Sequence, residues 1–330
     1  MPRGFSGGVT EATRIHHHPP RQARIGEPVA MLTSARFRLA VSQLTTLRWD
    51  LPEELCHCVE HGFDAISLWR TKVSDVGIGA ARELLQQAGV RVSSLHWAGG
   101  FTGSDGQTFE ESLADCHEAI DTAEQLDCPV LTLYPGTRGG HTLTHARRLV
   151  RQAVVDLAPA AATAGVTLAL QPACEPEAPG GGFMSSLEET HGVIADVDQH
   201  HVGLALDLWS FADDPFLLNS WDLLVRHVRL VLVADRRGPP DFEQERLLPG
   251  AGRLPLDQCL RALADAGYQG DIEIDPVGEA VGQAGYEATL SAISQYRNEL
   301  GRILRRPQPL QRVGTMPSVF ANAGAEVGHS

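Results

Sequence analysis

Three short apolar runs end in a side chain able to handle protons or oxygen. "VTLALQ" ends in Gln171, "VGLALD" in Asp207 and "DIEID" in Asp275. An aspartate can take or give a proton, and two carboxylates brought close repel, so one can keep its proton near neutral pH. A neutral amide cannot act as a base, but it can hold a hydroxyl or an oxyanion. Other apolar runs end in Trp69 and Arg70, in His96 and Trp97, in Tyr134 with His141 beyond it, and in Asp235 and Arg236. His96 is a further proton-transfer candidate. Trp69, Trp97 and Tyr134 would form an apolar wall, and Arg70, Arg236 or Arg246 an anion contact.

The elements that must position these residues alternate along the chain. Strand-like runs are expected at 38–43, 64–69, 90–97, 129–134, 166–171, 202–207, 228–235 and 271–275, each followed by a helical pattern. Helices between strands imply parallel pairing through crossovers. Eight such units imply an α/β fold of the (β/α)8 TIM-barrel type, whose chemistry sits at the C-terminal ends of the strands. A doubly wound open sheet is the main alternative, disfavoured because no GxGxxG follows the first strand. Period-two alternation turns Gln171, Asp207 and Asp275 inward, above small residues such as Ala169 and Ala205. Glu273 is expected inward and one layer deeper, buried with an arginine partner. His200, His201 and His227 precede strands and belong to the opposite, stabilising face.

Residues 1–35 are expected to be a disordered leader, with Met31 a candidate start, residues 36–305 the barrel, and 306–330 a disordered tail. The triplet His16–His18 reads as part of that solvated leader. The N-terminus carries no apolar signal core, and no run has the length of a spanning helix, so a cytoplasmic protein is expected, with no membrane partner. A net charge of −14 argues against nucleic acid, which needs a basic face. The six cysteines include no CxxC, so buried thiols are expected rather than zinc or disulfides. Cys174 differs, lying in the loop beyond Gln171. Lys72 is the sole lysine, so Schiff-base chemistry would have to use it. A small-molecule substrate is expected, and dimerisation through outer helices is suggested by apolar residues on more than one helix face.

The segments "GFDAISLWR", "AGVRVSSLHWAGGFTG", "AIDTAEQLDCPVLTLYPG", "AGVTLALQP", "VGLALDLWSFADDP", "ERLLPGAGRLPL" and "AGYQGDIEID", in this order over about residues 37–300, resemble the sugar phosphate isomerase/epimerase family. These are xylose-isomerase-like barrels related to inosose dehydratase, hydroxypyruvate isomerase and endonuclease IV. The resemblance implies one divalent ion (Mn, Mg, Co or Zn) held by a Glu ending strand five, an Asp ending strand six, a His in strand seven and a Glu ending strand eight. These positions fall on Gln171, Asp207, Leu232 and Asp275, and a further family histidine falls on Ser210. Only Asp207 matches outright. Hard divalent ions want several charged oxygen ligands, so Asp207, Asp275 and Gln171 would hold an ion weakly and no tightly bound cofactor is expected. Glu175, Glu177, His96 or His141 are the residues that could rebuild a site.

The resulting expectation is an isomerase- or epimerase-like enzyme moving protons on a small polyhydroxy or carbonyl compound, with Asp275, Asp207 and His96 as acid–base groups. One alternative is a metal-independent lyase, dehydratase or cyclase of specialised metabolism. Another is a non-catalytic ligand-binding barrel. A zinc nuclease fits poorly, for want of ligands and of a basic face.

Overall fold

The computed structural model describes residues 37–172, 183–240 and 244–305. The leader, the tail, Met31, His16–His18, Cys174, Glu175 and Glu177 lie outside the described residues. Within them the strands β1 (Arg38–Ser42), β2 (Ala65–Trp69), β3 (Arg91–Gly99), β4 (Val130–Tyr134), β5 (Thr167–Leu170), β6 (Val202–Asp207), β7 (Val228–Val233) and β8 (Asp271–Ile274) pair in sequence order, each parallel to its neighbours. The sheet closes where Arg38 to Val41 register against Asp271 to Ile274. It is the TIM barrel expected from the alternation of elements. The strands are runs of Val, Leu and Ile because both faces are covered, by helices outside and by side chains within.

The crossover helices start and stop where their sequences signal it. Helix α1 (Leu51–Glu60) is capped by Asp50, whose Oδ1 accepts from Glu53 N–H at 2.9 Å. Between β2 and β3 lie α2 (Arg70–Val76) and α3 (Ile78–Ala88). Helix α4 (Phe109–Gln125) opens with a capping box between Thr108 and Glu111. Helix α5 (Leu143–Ala164) ends at Gly165, which takes a left-handed φ of 69°. Helix α6 (Leu187–Val197) precedes β6. After it come α7 (Leu208–Phe211), α8 (Pro215–Asn219) and α9 (Trp221–Leu224). Helix α10 (Leu256–Asp265) buries Leu256, Cys259, Leu260, Leu263 and Ala264, the spacing of a single face at 3.6 residues per turn. Helices α11 (Glu279–Ala284) and α12 (Tyr286–Arg305) are the last elements of the described residues. No helix among the described residues is long and apolar enough to cross a membrane.

Four details depart from the sequence reading. The short helices α2, α7 and α11 were not expected, because one or two turns leave no periodic pattern to read. The stretch "FLLNSWDLLVRH" is two helices, α8 and α9, meeting at Ser220. Strand β3 runs two residues further, to Gly99, with a register shift between Leu95 and Ala98. Gly99 permits this: a Cβ there would sit 2.0 Å from the carbonyl oxygen of Tyr134. Strand β7 stops at Val233, so Asp235 and Arg236 belong to the loop.

Alternation holds inside the barrel. Ala169, Ala205, Leu230, Leu232 and Val130 form a small interior cluster of their own, beneath the mouth and separate from the main core between sheet and helices. Small residues on β5 and β6 leave space above them for the side chains that follow.

Candidate functional site

Asp207, the last residue of β6, and Asp275, immediately after β8, are both buried and are joined by one guanidinium. Arg246 Nη1 donates to Asp207 Oδ2 at 3.0 Å and Nη2 donates to Asp207 Oδ1 at 2.8 Å. The same Nη2 lies 2.7 Å from Asp275 Oδ2. Asp207 also accepts from Trp209 N–H at 3.0 Å and from Ser210 Oγ–H at 2.9 Å. Asp275 has no such support: its Oδ1 is buried and has no hydrogen-bond partner among the described residues. Burial pushes the Asp275 carboxyl well above the usual carboxylate range; Arg246 opposes this, while Asp207 and Glu273 add to it. The upward direction governs, because one positive charge is shared between two carboxylates and Asp207 holds it with both oxygens.

The backbone fixes Arg246 over the mouth. Arg246 N–H donates to Val277 O at 3.0 Å and Val277 N–H to Arg246 O at 2.8 Å, while Asp235 and Leu247 exchange both hydrogen bonds at 2.8 Å. The segment therefore ties the loop after β7 to the loop after β8. The guanidinium carbon lies 5.2 Å from the centroid of the Trp209 ring, a cation–π contact.

A second polar pair lies in the barrel interior. His96 Nε2 is 2.9 Å from Glu273 Oε2, and Nδ1 is 3.1 Å from Thr132 Oγ1. Glu273 Oε1 accepts from Ser93 Oγ–H at 2.7 Å and Ser94 Oγ–H at 2.5 Å. Glu273 is thus inward and fully buried, as expected, but its partners are a histidine and two serines instead of an arginine. An imidazole and two hydroxyls reach Glu273 from β3 across the barrel interior.

The remaining sequence candidates divide by what holds them. Gln171 follows β5, half-buried; its N–H donates to Leu133 O at 2.9 Å, and its amide side chain makes no hydrogen bond among the described residues. Trp69, Arg70, His96 and Trp97 line a cleft of about 710 Å³. There Arg70 is engaged with both oxygens of Asp115, at 2.7 Å each. Trp97 is 45% exposed, because the neighbour of inward His96 on a strand must point outward. Trp97 and Tyr134 line an adjoining cavity of about 330 Å³. His141 Nε2 lies 3.0 Å from Thr102 O, tying two loops.

Asp235 accepts from the N–H groups of Arg236, Gly250 and Leu254 at 2.8, 3.0 and 3.0 Å. Arg236 donates to Trp209 O, Gly238 O and Asp213 Oδ1 at 2.7, 2.5 and 2.6 Å. These contacts engage Asp235 and Arg236 in loop architecture rather than directing them at the mouth. Sequence reasoning passed over Gln43, which follows β1 and is buried. Its amide oxygen accepts from Trp69 N–H at 2.7 Å, and its amide nitrogen donates to Glu54 at 2.5 Å. Lys72 donates to the same Glu54 at 2.5 Å and to Thr46 O at 2.9 Å. A polar residue closing the apolar run "RLAVSQ" was the signal available.

The positions implied for a divalent ion do not fit one. Leu232 is buried in the interior cluster with no donor atom, and Gln171 is uncharged. The place between the two surviving carboxylates is taken by Arg246 Nη2, within hydrogen-bond distance of both. A bridging ion would need that place, at about 2.0–2.6 Å from each oxygen. Among the described residues no group of three or more His, Cys, Asp or Glu is arranged to hold a metal.

Comparison with known proteins agrees with the barrel. An inosose isomerase of Halalkalibacterium halodurans is 23% identical over 253 residues, covering 72% of this chain and 87% of its own. A Streptomyces coelicolor protein named as a hydroxypyruvate isomerase is 28% identical over 267 residues, covering 73% and 90%. The solved structure of the IolI protein with a bound zinc atom superposes with a TM-score of 0.69 at 19% identity, over 81% of this chain and 98% of that one, a likeness of fold. Residues 56–295, more than half of the chain, match the model of one family, and by that match the chain belongs to the xylose isomerase-like TIM barrel family.

Proposed function

We propose that this barrel is an isomerase or epimerase that moves a proton on a small polyhydroxy carbonyl compound, without a divalent ion bound by its carboxylates. The observation that carries this reading is Asp275: a buried carboxylate at the mouth, joined to Arg246 through one oxygen and left without a partner at the other. A buried, unpartnered carboxylate oxygen is costly unless something donates to it, and a substrate C–H or O–H is a suitable donor. As a carboxylate, Asp275 would take the proton from the carbon beside the carbonyl. The electron pair moves toward the carbonyl oxygen, giving an enediolate. In an isomerisation the same carboxyl returns the proton to the neighbouring carbon while the hydroxyl proton passes to the oxyanion; in an epimerisation a second donor protonates the original carbon from the opposite face and the oxyanion reverts to the carbonyl. The elevated proton affinity of Asp275 makes it a stronger base than an exposed aspartate. Gln171, just past β5, would offer an amide N–H to the developing oxyanion, and Arg246, paired with both carboxylates, a positive charge. The named relatives, an inosose isomerase and a hydroxypyruvate isomerase, support the substrate class.

A second reading, a dehydratase or lyase, shares the first step and then expels a hydroxyl. The raised proton affinity of Asp275 favours it to the extent that the leaving group needs an acid. The test is deuterium incorporation, followed by NMR, after chelator-treated protein is incubated in D2O with hydroxypyruvate, an inosose and a panel of ketohexoses. Wild type should exchange a C–H of at least one compound, and D275N should lose that exchange while keeping its melting temperature. Ligand binding without exchange would instead indicate a binding barrel. Exchange undiminished in D275N would remove Asp275 from the mechanism.

A further inference from the structure

We propose that Arg246 is a fixed internal cation that occupies the place of a divalent ion at the barrel mouth and closes the site to such ions. The inference deepens the proton-transfer reading and rests on it for the use made of the charge; the exclusion of ions stands on geometry alone. Three observations carry it. Nη2 sits within hydrogen-bond distance of one carboxylate from β6 and one from beyond β8, at 2.8 and 2.7 Å, so the two groups are drawn together around a nitrogen. The residue is held in place through its backbone by Val277 and through Leu247 by Asp235, and its guanidinium rests on the Trp209 ring. The cation is therefore delivered by a braced segment. Finally, the other two implied ligand positions carry Gln171 and Leu232, so the charge supplied by Arg246 coincides with the loss of the anionic and imidazole donors.

A guanidinium does part of what an ion would do. It neutralises one carboxylate, fixes the separation of the pair and places positive charge beside the substrate oxygen. It carries one charge instead of two and cannot be removed by a chelator. Its planar fork is matched to Asp207 bidentately, which leaves Asp275 the more weakly held of the two and the better placed to exchange a proton.

The experiment reads Mn2+ binding by electron paramagnetic resonance, where bound ion loses the free six-line signal. Chelator-treated wild type should leave the signal unchanged. The double variant Q171E/L232H, with Arg246 kept, should also bind no ion. The triple variant Q171E/L232H/R246A should bind one Mn2+ at least about 100-fold more tightly than wild type, because a repelling charge at contact distance has been removed and charged ligands restored. Circular dichroism and urea midpoints establish that each variant is folded, and Q171E/L232H/R246Q replaces the triple if alanine unfolds it. Stoichiometric Mn2+ on wild type would overturn the inference. So would binding by the double variant as tight as by the triple, or a folded triple that binds nothing. Failure of the proton-transfer reading looks different: no compound exchanges deuterium, while Mn2+ still binds only when Arg246 is gone.

Discussion

Replacing Arg246 by alanine tests the electrostatics of the mouth directly. The substitution removes two contacts to Asp207, at 3.0 and 2.8 Å, and the 2.7 Å contact to Asp275. Asp207 keeps the donors Trp209 N–H and Ser210 Oγ–H. Asp275 keeps none among the described side chains, since its other oxygen is already without a partner. Breaking a buried ion pair by deleting one member costs about 3–5 kcal/mol, most of it from the charge left behind. The Arg246 side chain is 21% exposed and Asp275 can relieve the strain by taking a proton, so the low end, about 3 kcal/mol at pH 8, is expected. The sign of the pH dependence follows from the direction of the shift. Without Arg246 the folded pKa of Asp275 rises further above its unfolded value. Such a group contributes stability that is present below the unfolded pKa and lost as pH rises through the folded one, at about 1.4 kcal/mol for each unit of difference. The deficit of R246A relative to wild type should therefore shrink as the pH falls through the raised folded pKa of Asp275. Urea denaturation followed by tryptophan fluorescence and circular dichroism at several pH values measures it. R70A provides the contrast: its pair with Asp115 is 24% and 32% exposed, so about 0.2–1 kcal/mol is expected with little pH dependence. A loss below about 1 kcal/mol for R246A at pH 8, or one that stays constant as the pH is lowered until the fold is lost, would refute the assignment of Arg246 as the counter-charge of a buried carboxylate pair.

Two further outcomes are expected. K72M should destabilise by about 3–5 kcal/mol because it strands buried Glu54, and the double variant E54Q/K72M should recover most of that loss; equal losses in the single and the double variant would show that the pair is not coupled. Native protein treated with an aromatic disulfide at pH 8 should react at exposed Cys56 and, among the other described cysteines, not at Cys58, Cys116 or Cys259, whose thiols burial pushes up to about 12, nor at Cys128, which burial also raises; mass spectrometry of the labelled peptides identifies the sites, and early labelling of Cys116 or Cys128 would contradict the packing.

How much of this was legible in the sequence depends on the range of the interaction concerned. The order of strands and helices was readable because it rests on local patterns: apolar runs such as "VRLVLV" for strands buried on both faces, and glycine or capping residues at helix ends. Inward placement of Asp207, Asp275 and Glu273 was readable for the same reason, since side chains alternate with period two. The short helices α2, α7 and α11 were not, because they are too short to show a period. Trp97 shows the limit of counting strand ends: it adjoins His96 and yet faces the opposite side of β3.

Partners were beyond the sequence. Arg246 could be named as a basic residue near the mouth, but nothing local shows that it reaches Asp207, 39 residues earlier, and Asp275 with the same nitrogen. His96 and Glu273 are separated by 177 residues, and the pairing of Arg70 with Asp115 and of Arg236 with Asp213 shows only in the fold. The sequence by itself determined that this chain is a barrel of eight strand–helix units with two acids and an amide at strand ends, and that the implied ligand set is incomplete at Gln171 and Leu232. Closure of the sheet alone decided that a guanidinium stands between those acids, because ring closure brings the loops after β7 and β8 across the end of β6 and so sets which charges share one buried space.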